Sequence, residues 1–120
     1  MNNRKTGTIR EEAAARWLEK QGVKIMEQNF RCRAGEIDLV VKDQDYLVFV
    51  EVKYRKSSSS GYPIEAVTKN KQKSICKVAD FYRLTKKIPD DQPLRYDIIG
   101  ILGEEIIWYQ NAFDHVRWGF

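Results

Sequence analysis

Three charged residues, Asp38, Glu51 and Lys53, lie in segments that otherwise have the composition of buried β-strands. Residues 47–53 are apolar except for Glu51 and Lys53, and Asp38 lies in the largely apolar residues 35–41. Because successive side chains on a strand point to opposite faces, Glu51 and Lys53 share one face. Burying an ionised group costs on the order of several kcal/mol unless the group is paired or bound to a metal. These positions therefore indicate a chemical role.

The two segments are joined by the polar residues 42–45, which have the length of a hairpin turn. Asp38 and Glu51 would then lie roughly opposite each other, with Cβ atoms about 4.5–5.5 Å apart. Two carboxylates about 4 Å apart repel by about 4 kcal/mol at an effective dielectric of about 20, so one would hold a proton at neutral pH. A divalent cation removes this conflict, and oxygen ligands suit Mg²⁺ or Mn²⁺. The strands therefore predict a metal site with Lys53 beside it. The alternative is an exposed, ion-paired strand face.

The chain has the size and composition of one domain that covers residues 1–120. Its 42% apolar and 32% charged residues are ordinary for a globular protein. The N-terminus lacks the apolar segment of a signal peptide, and no apolar run is long enough to cross a bilayer. Cys32 and Cys76 lack metal-type spacing and fit a reducing compartment. We therefore expect a cytoplasmic protein without a membrane partner.

The net charge of +4 is distributed unevenly. Residues 68–87 contain seven basic residues and a single acid, Asp80. Basic residues also lie at the ends of the two acidic strands, which suits a polyanionic partner such as DNA. The candidates for contacts with backbone phosphates, which position nucleic acid without reading its sequence, are Arg31, Arg33, Arg55, Lys69 and Lys71. The alternative is a solvated helix face that is rich in lysine.

Periodicity and turn residues predict the elements that position these side chains. A first helix is predicted from a capping box, with Thr8 as the N-cap and Glu11 at the third position, and it ends at Gly22. The second helix begins at about 65 or 68 and ends at 86. Strands are predicted at about 23–31, 35–41, 46–54, 95–102 and 106–109, with a flexible serine-rich loop at 57–63. The order α-β-β-β-α-β-β predicts an α/β fold in which helices flank a mixed sheet.

The spacing of Asp38 and Glu51-Val52-Lys53 also matches the Asp…(Asp/Glu)-x-Lys pattern of restriction-endonuclease-like nucleases. Further matching segments are residues 14–18, 29–33, 35–40, 48–53, 66–67, 71–72, 96–97 and 111–113. With them the chain resembles, over nearly its whole length, the YraN-like family of small bacterial predicted endonucleases, which is similar to archaeal Holliday junction resolvases. The resemblance implies a restriction-endonuclease-like core. It also implies a nuclease that depends on Mg²⁺ (or Mn²⁺) and cuts DNA, with branched or recombination and repair intermediates as candidate substrates.

The resemblance implies roles for individual residues of the strand pair. Asp38 and Glu51 would coordinate the metal together with the backbone carbonyl of Val52. Lys53 would orient or activate the attacking water and stabilise charge on the phosphate. A structural salt bridge between Lys53 and Glu51 is the alternative, and the two roles can coexist.

Residues of the two helices are implied as well. Glu11 would reach the metal through water, although a capping box would give it a different partner. Arg10 stands where the family has a glycine before its helical glutamate, so Glu12 is an alternative, and spacing along the helix favours Glu11. Gln72 would approach the site from the second helix. Glu36, on the strand face of Asp38, is a candidate for support of the ligands or for a solvated position.

Two broader alternatives remain open at this point. A nucleic-acid-binding or scaffold module that keeps the fold but does not cut is the alternative function. Because His115 is the only histidine, histidine-metal nucleases and Ser-His-Asp hydrolases lack their parts. Symmetric cleavage of a four-way junction would need two active sites and hence a homodimer. The aromatic residues expected in the core or in a dimer contact are Trp108, Tyr109, Phe113 and Trp118.

Overall fold

The computed structural model describes the backbone of residues 2–117 and the side chains of residues 9–59 and 61–117. Its helices and strands are α1 (Asn2–Lys20), β1 (Lys24–Cys32), β2 (Gly35–Asp43), β3 (Tyr46–Arg55), α2 (Lys69–Thr85), β4 (Leu94–Leu102) and β5 (Glu105–Phe113). Two short 3₁₀ helices, Ser58–Ser60 and Pro63–Ala66, precede α2. The order α-β-β-β-α-β-β is the predicted one, so the α/β fold class is confirmed.

The five strands form one mixed sheet in the order β1-β2-β3-β4-β5. Neighbouring strands are antiparallel except for β3 and β4, which pair in parallel. Parallel neighbours need a long crossover connection, and here α2 supplies it. The position of α2 in the chain therefore follows from the parallel pairing at the centre of the sheet.

The two helices cover opposite faces of the sheet. Along β3, Leu47 and Phe49 pack in the cluster with α2, whereas Val48 and Val50 pack in the cluster with α1. This alternation is the two-residue period of a strand that is buried on both faces. Each such side chain contributes about 1.5–3 kcal/mol through burial. Glu51, which is 3% exposed, therefore lies in a strand that packs against apolar side chains on both faces.

The start of α1 differs from the prediction. Thr8 was expected to be its N-cap, but α1 begins at Asn2 and Thr8 lies inside it. The residues before Thr8 contain no proline to end the helix, and so it extends upstream. The predicted beginning of α2 at 68 is confirmed, because the Thr68 side chain accepts a hydrogen bond from the Lys71 amide. No helix within residues 2–117 is both long and apolar enough to cross a bilayer.

The last strand is longer than predicted and packs aromatic rings onto both sides of the sheet. Phe113 stacks on Tyr96 with ring centroids 5.1 Å apart, and Trp108 meets Trp17 edge to face at 5.9 Å. Asn111, with a φ of 53°, lies at an irregularity that lets β5 continue to Phe113. Trp108, Tyr109 and Phe113, expected in the core or in a dimer contact, are partly buried and pack against the two core clusters. Trp118 lies outside the described residues.

Candidate functional site

The candidate site lies where β2 and β3 separate. Their antiparallel ladder ends at Leu39 opposite Val50. Asp38 and Glu51 are the next pair in this register, so their carboxyls lie at the end of the ladder. There the Asp38 side chain takes the place of a backbone partner, and its Oδ2 accepts a hydrogen bond of 2.8 Å from the Val52 amide. Within an antiparallel pair, a residue's N–H and C=O point to the same neighbour, so the Val52 carbonyl also lies on the edge of β3 that faces β2.

Four acidic side chains meet at this separation, and we call them the carboxylate cluster (Glu11, Glu36, Asp38 and Glu51). Glu11, Glu36 and Asp38 each place one carboxylate oxygen so that the three atoms lie within 4.8 Å of one another. The charge of Asp38 acts on Glu51, and the charge of Glu51 acts on Glu11. Glu11 comes from α1, whereas Lys71 of α2 contacts Glu51 from the opposite layer. Residues from both helices, α1 on one face of the sheet and α2 on the other, thus lie at the carboxylate cluster at the end of the ladder.

Burial dominates the electrostatics of the two strand acids. It raises the pKa of Asp38 to about 7 with help from the charge of Glu11, although the Val52 hydrogen bond favours the ionised form. Burial also raises the pKa of Glu51 to about 7 together with the charge of Asp38, against the opposing effect of Lys71 and Lys53. At neutral pH the metal-free site therefore holds protons that isolated carboxyls would have lost.

Glu11, and not Glu12, faces the cluster. Burial and the charge of Glu36 raise the pKa of Glu11, while hydrogen bonds with the side chains of Asp38 and Asn29 lower it. Glu12 is half-exposed and forms an ion pair with Arg16 at 3.3 Å. The capping-box role expected for Glu11 is wrong, because α1 begins nine residues before it, at Asn2.

Two ammonium groups neutralise Glu51. Its Oε2 lies 3.4 Å from Lys53 Nζ and 3.2 Å from Lys71 Nζ, and the Glu51 side chain is only 4% exposed. The lysine side chains are 29% and 39% exposed, so their ammonium groups reach solvent from a buried partner. The predicted salt bridge of Lys53 is present. Lys71, expected among the phosphate contacts, lies at the carboxylates themselves because the first turn of α2 faces them.

The other residues predicted to approach the site or to bind nucleic acid do not all lie at the carboxylate cluster. The Gln72 side chain donates to the Val67 carbonyl at 3.2 Å, so its described hydrogen bond is to the backbone before α2 and not to the cluster. Arg31 lies 3.6 Å from Glu36 at the rim of the cluster, whereas Arg33 and Lys69 are exposed. Arg55 donates to the Tyr54 carbonyl at 3.3 Å. The roles of these residues in binding nucleic acid stay predictions.

Sequence analysis missed two neighbours of Glu11. Asn29, with a φ of 57°, lies opposite Asp38 in the register of β1 with β2 and hydrogen-bonds Glu11. Arg10, noted as a departure from the family pattern, places its guanidinium 3.5 Å from the centroid of the Tyr54 ring. This cation–π contact connects α1 to β3 next to the site. An asparagine tolerates a positive φ better than most residues, but nothing in the chain near Asn29 signals that it would be used.

The donor set of the cluster fits a divalent cation. Glu11, Glu36 and Asp38 offer three carboxylate oxygens, and hard ions such as Mg²⁺ and Mn²⁺ prefer oxygen ligands. Burial raises the pKa values of Asp38 and Glu51, and the charges of acidic neighbours add to this effect, so a bound cation would favour the ionised forms. These residues therefore form a cluster that could hold a metal ion.

Comparison with known proteins gives the family. The model of the uncharacterised protein family UPF0102 matches residues 10–101. A UPF0102 protein of Lachnoclostridium phytofermentans is 46% identical over 114 residues, covering 95% of this chain and 97% of the relative. One from Coxiella burnetii is 40% identical over 111 residues, covering 92% of each chain. The chain therefore belongs to the uncharacterised protein family UPF0102, the YraN-like family that its motifs resemble.

Proposed function

We propose that this protein is a metal-dependent nuclease that hydrolyses phosphodiester bonds in DNA. The observation that carries the proposal is one arrangement of four side chains. Glu51 is buried and Asp38 is half-buried, both have pKa values raised to about 7, and Lys53 and Lys71 are ammonium groups at 3.4 and 3.2 Å from Glu51. The acids suit a hard cation, and the ammonium groups suit the phosphate that such a cation binds.

The residues divide between holding the ion and meeting the substrate. The carboxylate cluster, with Asp38 and Glu51 at its centre, would hold Mg²⁺ or Mn²⁺. When bound, such an ion offsets the negative charge that develops on phosphorus and lowers the pKa of water. Lys53 and Lys71 would donate hydrogen bonds to the non-bridging oxygens of the scissile phosphate. In the reaction, a water oxygen bonds to phosphorus, the bond to one ester oxygen breaks, and that oxygen leaves as an alcohol after taking up a proton.

The test is cleavage of labelled DNA by the purified protein with Mg²⁺ or Mn²⁺. A four-way junction, a single strand and a duplex of shared sequence should be compared, because branched recombination and repair intermediates are the substrates we propose. We expect cleavage that EDTA abolishes and that falls at least about 100-fold in Asp38→Asn and in Lys53→Ala. Glu12→Gln is the matched control. Cleavage that persists in Asp38→Asn, or no cleavage of any substrate, would contradict the proposal.

A second candidate, a nucleic-acid-binding module that does not cut, is favoured by the ion pairs of Glu51. Two lysines already neutralise this carboxylate, and a purely structural triad would have the same contacts. Such a module binds DNA with a salt dependence set by its phosphate contacts, and Asp38→Asn leaves that binding unchanged. Binding of Mn²⁺ to the wild type, measured by calorimetry and lost in Asp38→Asn, would favour the nuclease instead.

A further inference from the structure

Cations and one aromatic ring line two adjoining grooves on the outer side of α2. One groove, of about 300 Å³, contains Lys73 and Lys77. The other, of about 250 Å³, lies between α2 and the turn from β1 to β2 and contains Arg33, Lys77 and Phe81. Because Lys77 lines both, they form one continuous surface, which we call the α2 groove (Arg33, Lys73, Lys77 and Phe81).

Phe81 is a large apolar side chain on the side of α2 that faces away from the core. It is 37% exposed, whereas its neighbour Tyr82 is buried at 4%. Lys73, Lys77 and Phe81 follow one another at intervals of four residues and therefore lie along one face of the helix. Arg33 approaches the ring from the β1–β2 turn. The ring is thus accessible between cations that come from two elements.

The charge of the groove complements a polyanion. Arg33 and Lys73 form no ion pair with any side chain that the structure describes. Among the described residues that line the two grooves, none is a carboxylate. Cations that track a phosphate backbone beside an exposed aromatic ring are the elements that bind single-stranded nucleic acid. In a duplex the faces of the bases are covered by stacking, so the ring has no partner there.

We infer that the α2 groove binds single-stranded DNA, with a base stacked on Phe81 and phosphates on Arg33, Lys73 and Lys77. This inference rests on the proposed function and adds the substrate class, which is DNA with an unpaired segment next to the cut. Arg33 of the groove lies in the turn from β1 to β2, and Glu36 of the carboxylate cluster follows it three residues later, at the start of β2.

The test is the affinity of the full chain for a labelled single strand and for a duplex of the same sequence, by fluorescence anisotropy in EDTA. We expect Phe81→Ala to weaken binding of the single strand about 5- to 150-fold, the range that corresponds to base stacking on an aromatic ring, and to change duplex binding less than about 2-fold. Phe81→Trp should keep the affinity. Leu84→Ala, one turn further along α2 and 77% exposed, is the matched control and should bind like the wild type.

Arg33→Ala and Lys73→Ala should each make the slope of log K against log salt concentration shallower, by the amount that corresponds to about one phosphate contact. The inference is overturned if Phe81→Ala binds the single strand like the wild type, if duplex binding falls equally, or if Leu84→Ala shows the same loss. Tighter binding of RNA than of DNA would overturn the assignment to DNA.

Cleavage assays with Mg²⁺ separate this inference from the proposed function. If the wild type cuts no substrate but Phe81→Ala weakens binding of the single strand, the inference about the α2 groove is supported and the proposed nuclease function is contradicted. If cleavage depends on Asp38 but Phe81→Ala binds the single strand like the wild type, the nuclease function is supported and the inference about the α2 groove is contradicted.

Discussion

Replacing Asp38 by asparagine should stabilise the metal-free protein at alkaline pH. The amide oxygen of asparagine can still accept the hydrogen bond from the Val52 amide, but the side chain cannot ionise. Burial and the charge of Glu11 raise the pKa of Asp38 to about 7 from its ordinary value of 3.8. Between these two values the folded state binds more protons than the unfolded state, so the free energy of unfolding falls as pH rises. Because asparagine does not ionise, the free energy of unfolding of the variant does not fall with pH for this reason.

The size of the effect follows from the shift in pKa. An increase of about three pKa units corresponds to about 4 kcal/mol of destabilisation once Asp38 is ionised in both states, well above pH 7. At about pH 5 the folded carboxyl is protonated while the unfolded one is already ionised, and the cost is then about 2 kcal/mol. The advantage of Asp38→Asn should therefore grow by about 2–3 kcal/mol between about pH 5 and pH 8.

Urea unfolding of both proteins in EDTA, at these two pH values, measures this difference. Glu104→Gln, at the exposed turn between β4 and β5, is the control and should stay within about 0.5 kcal/mol of the wild type at both. Addition of Mg²⁺ at about 100 times its Kd should restore about 2.7 kcal/mol to the wild type and much less to the variant. A variant that is no more stable than the wild type at pH 8, or an advantage that does not change with pH, would refute the reasoning.

Three further results are expected. The affinity for Mn²⁺, measured by calorimetry, should rise with pH through about 7 and level off about one pH unit higher, because Asp38 and Glu51 must release protons to bind the ion; a flat profile would contradict the raised pKa values. Glu11→Gln should weaken Mn²⁺ binding at least about 10-fold while Glu12→Gln changes it less than about 2-fold, and equal effects would show that Glu11 is not part of the site. Asp97→Asn should lower the free energy of unfolding by about 3 kcal/mol at pH 7 in urea titrations, because it breaks a buried ion pair, and a neutral effect would contradict this.

The sequence predicted the elements well where one physical signal dominated. Strands β2 and β3 are buried on both faces, so their apolar runs and the polar turn between them are unambiguous. The register of the hairpin follows from the length of that turn, which aligns Asp38 with Glu51. The start of α1 was misplaced because the sequence around Thr8 satisfies a capping box, although nothing upstream prevents the helix from continuing.

Contacts between elements were harder to predict than the elements. The position of Lys71 at Glu51 depends on how the first turn of α2 packs against β3, and a lysine at a helix start carries no such signal. The same holds for Asn29, whose left-handed backbone conformation brings it to Glu11. Gln72 was expected near the site from the family resemblance alone, and its amide instead completes the backbone hydrogen bonds before α2.

Two acids of this chain, Asp97 and Asp38, differ in how the protein stabilises their charge. Asp97 is 1% exposed and accepts four hydrogen bonds, from Arg95 twice, from Trp108 and from the Asn111 amide. Its charge is therefore met by fixed donors that connect β4 to β5. Asp38 accepts a hydrogen bond from the Val52 amide and lies beside other acids, and burial together with the charge of Glu11 raises its pKa to about 7. The fold surrounds Asp97 with donors but leaves Asp38 beside other acids, so ionised Asp38 lowers the free energy of unfolding. Binding of a cation is the simplest process that would restore this stability.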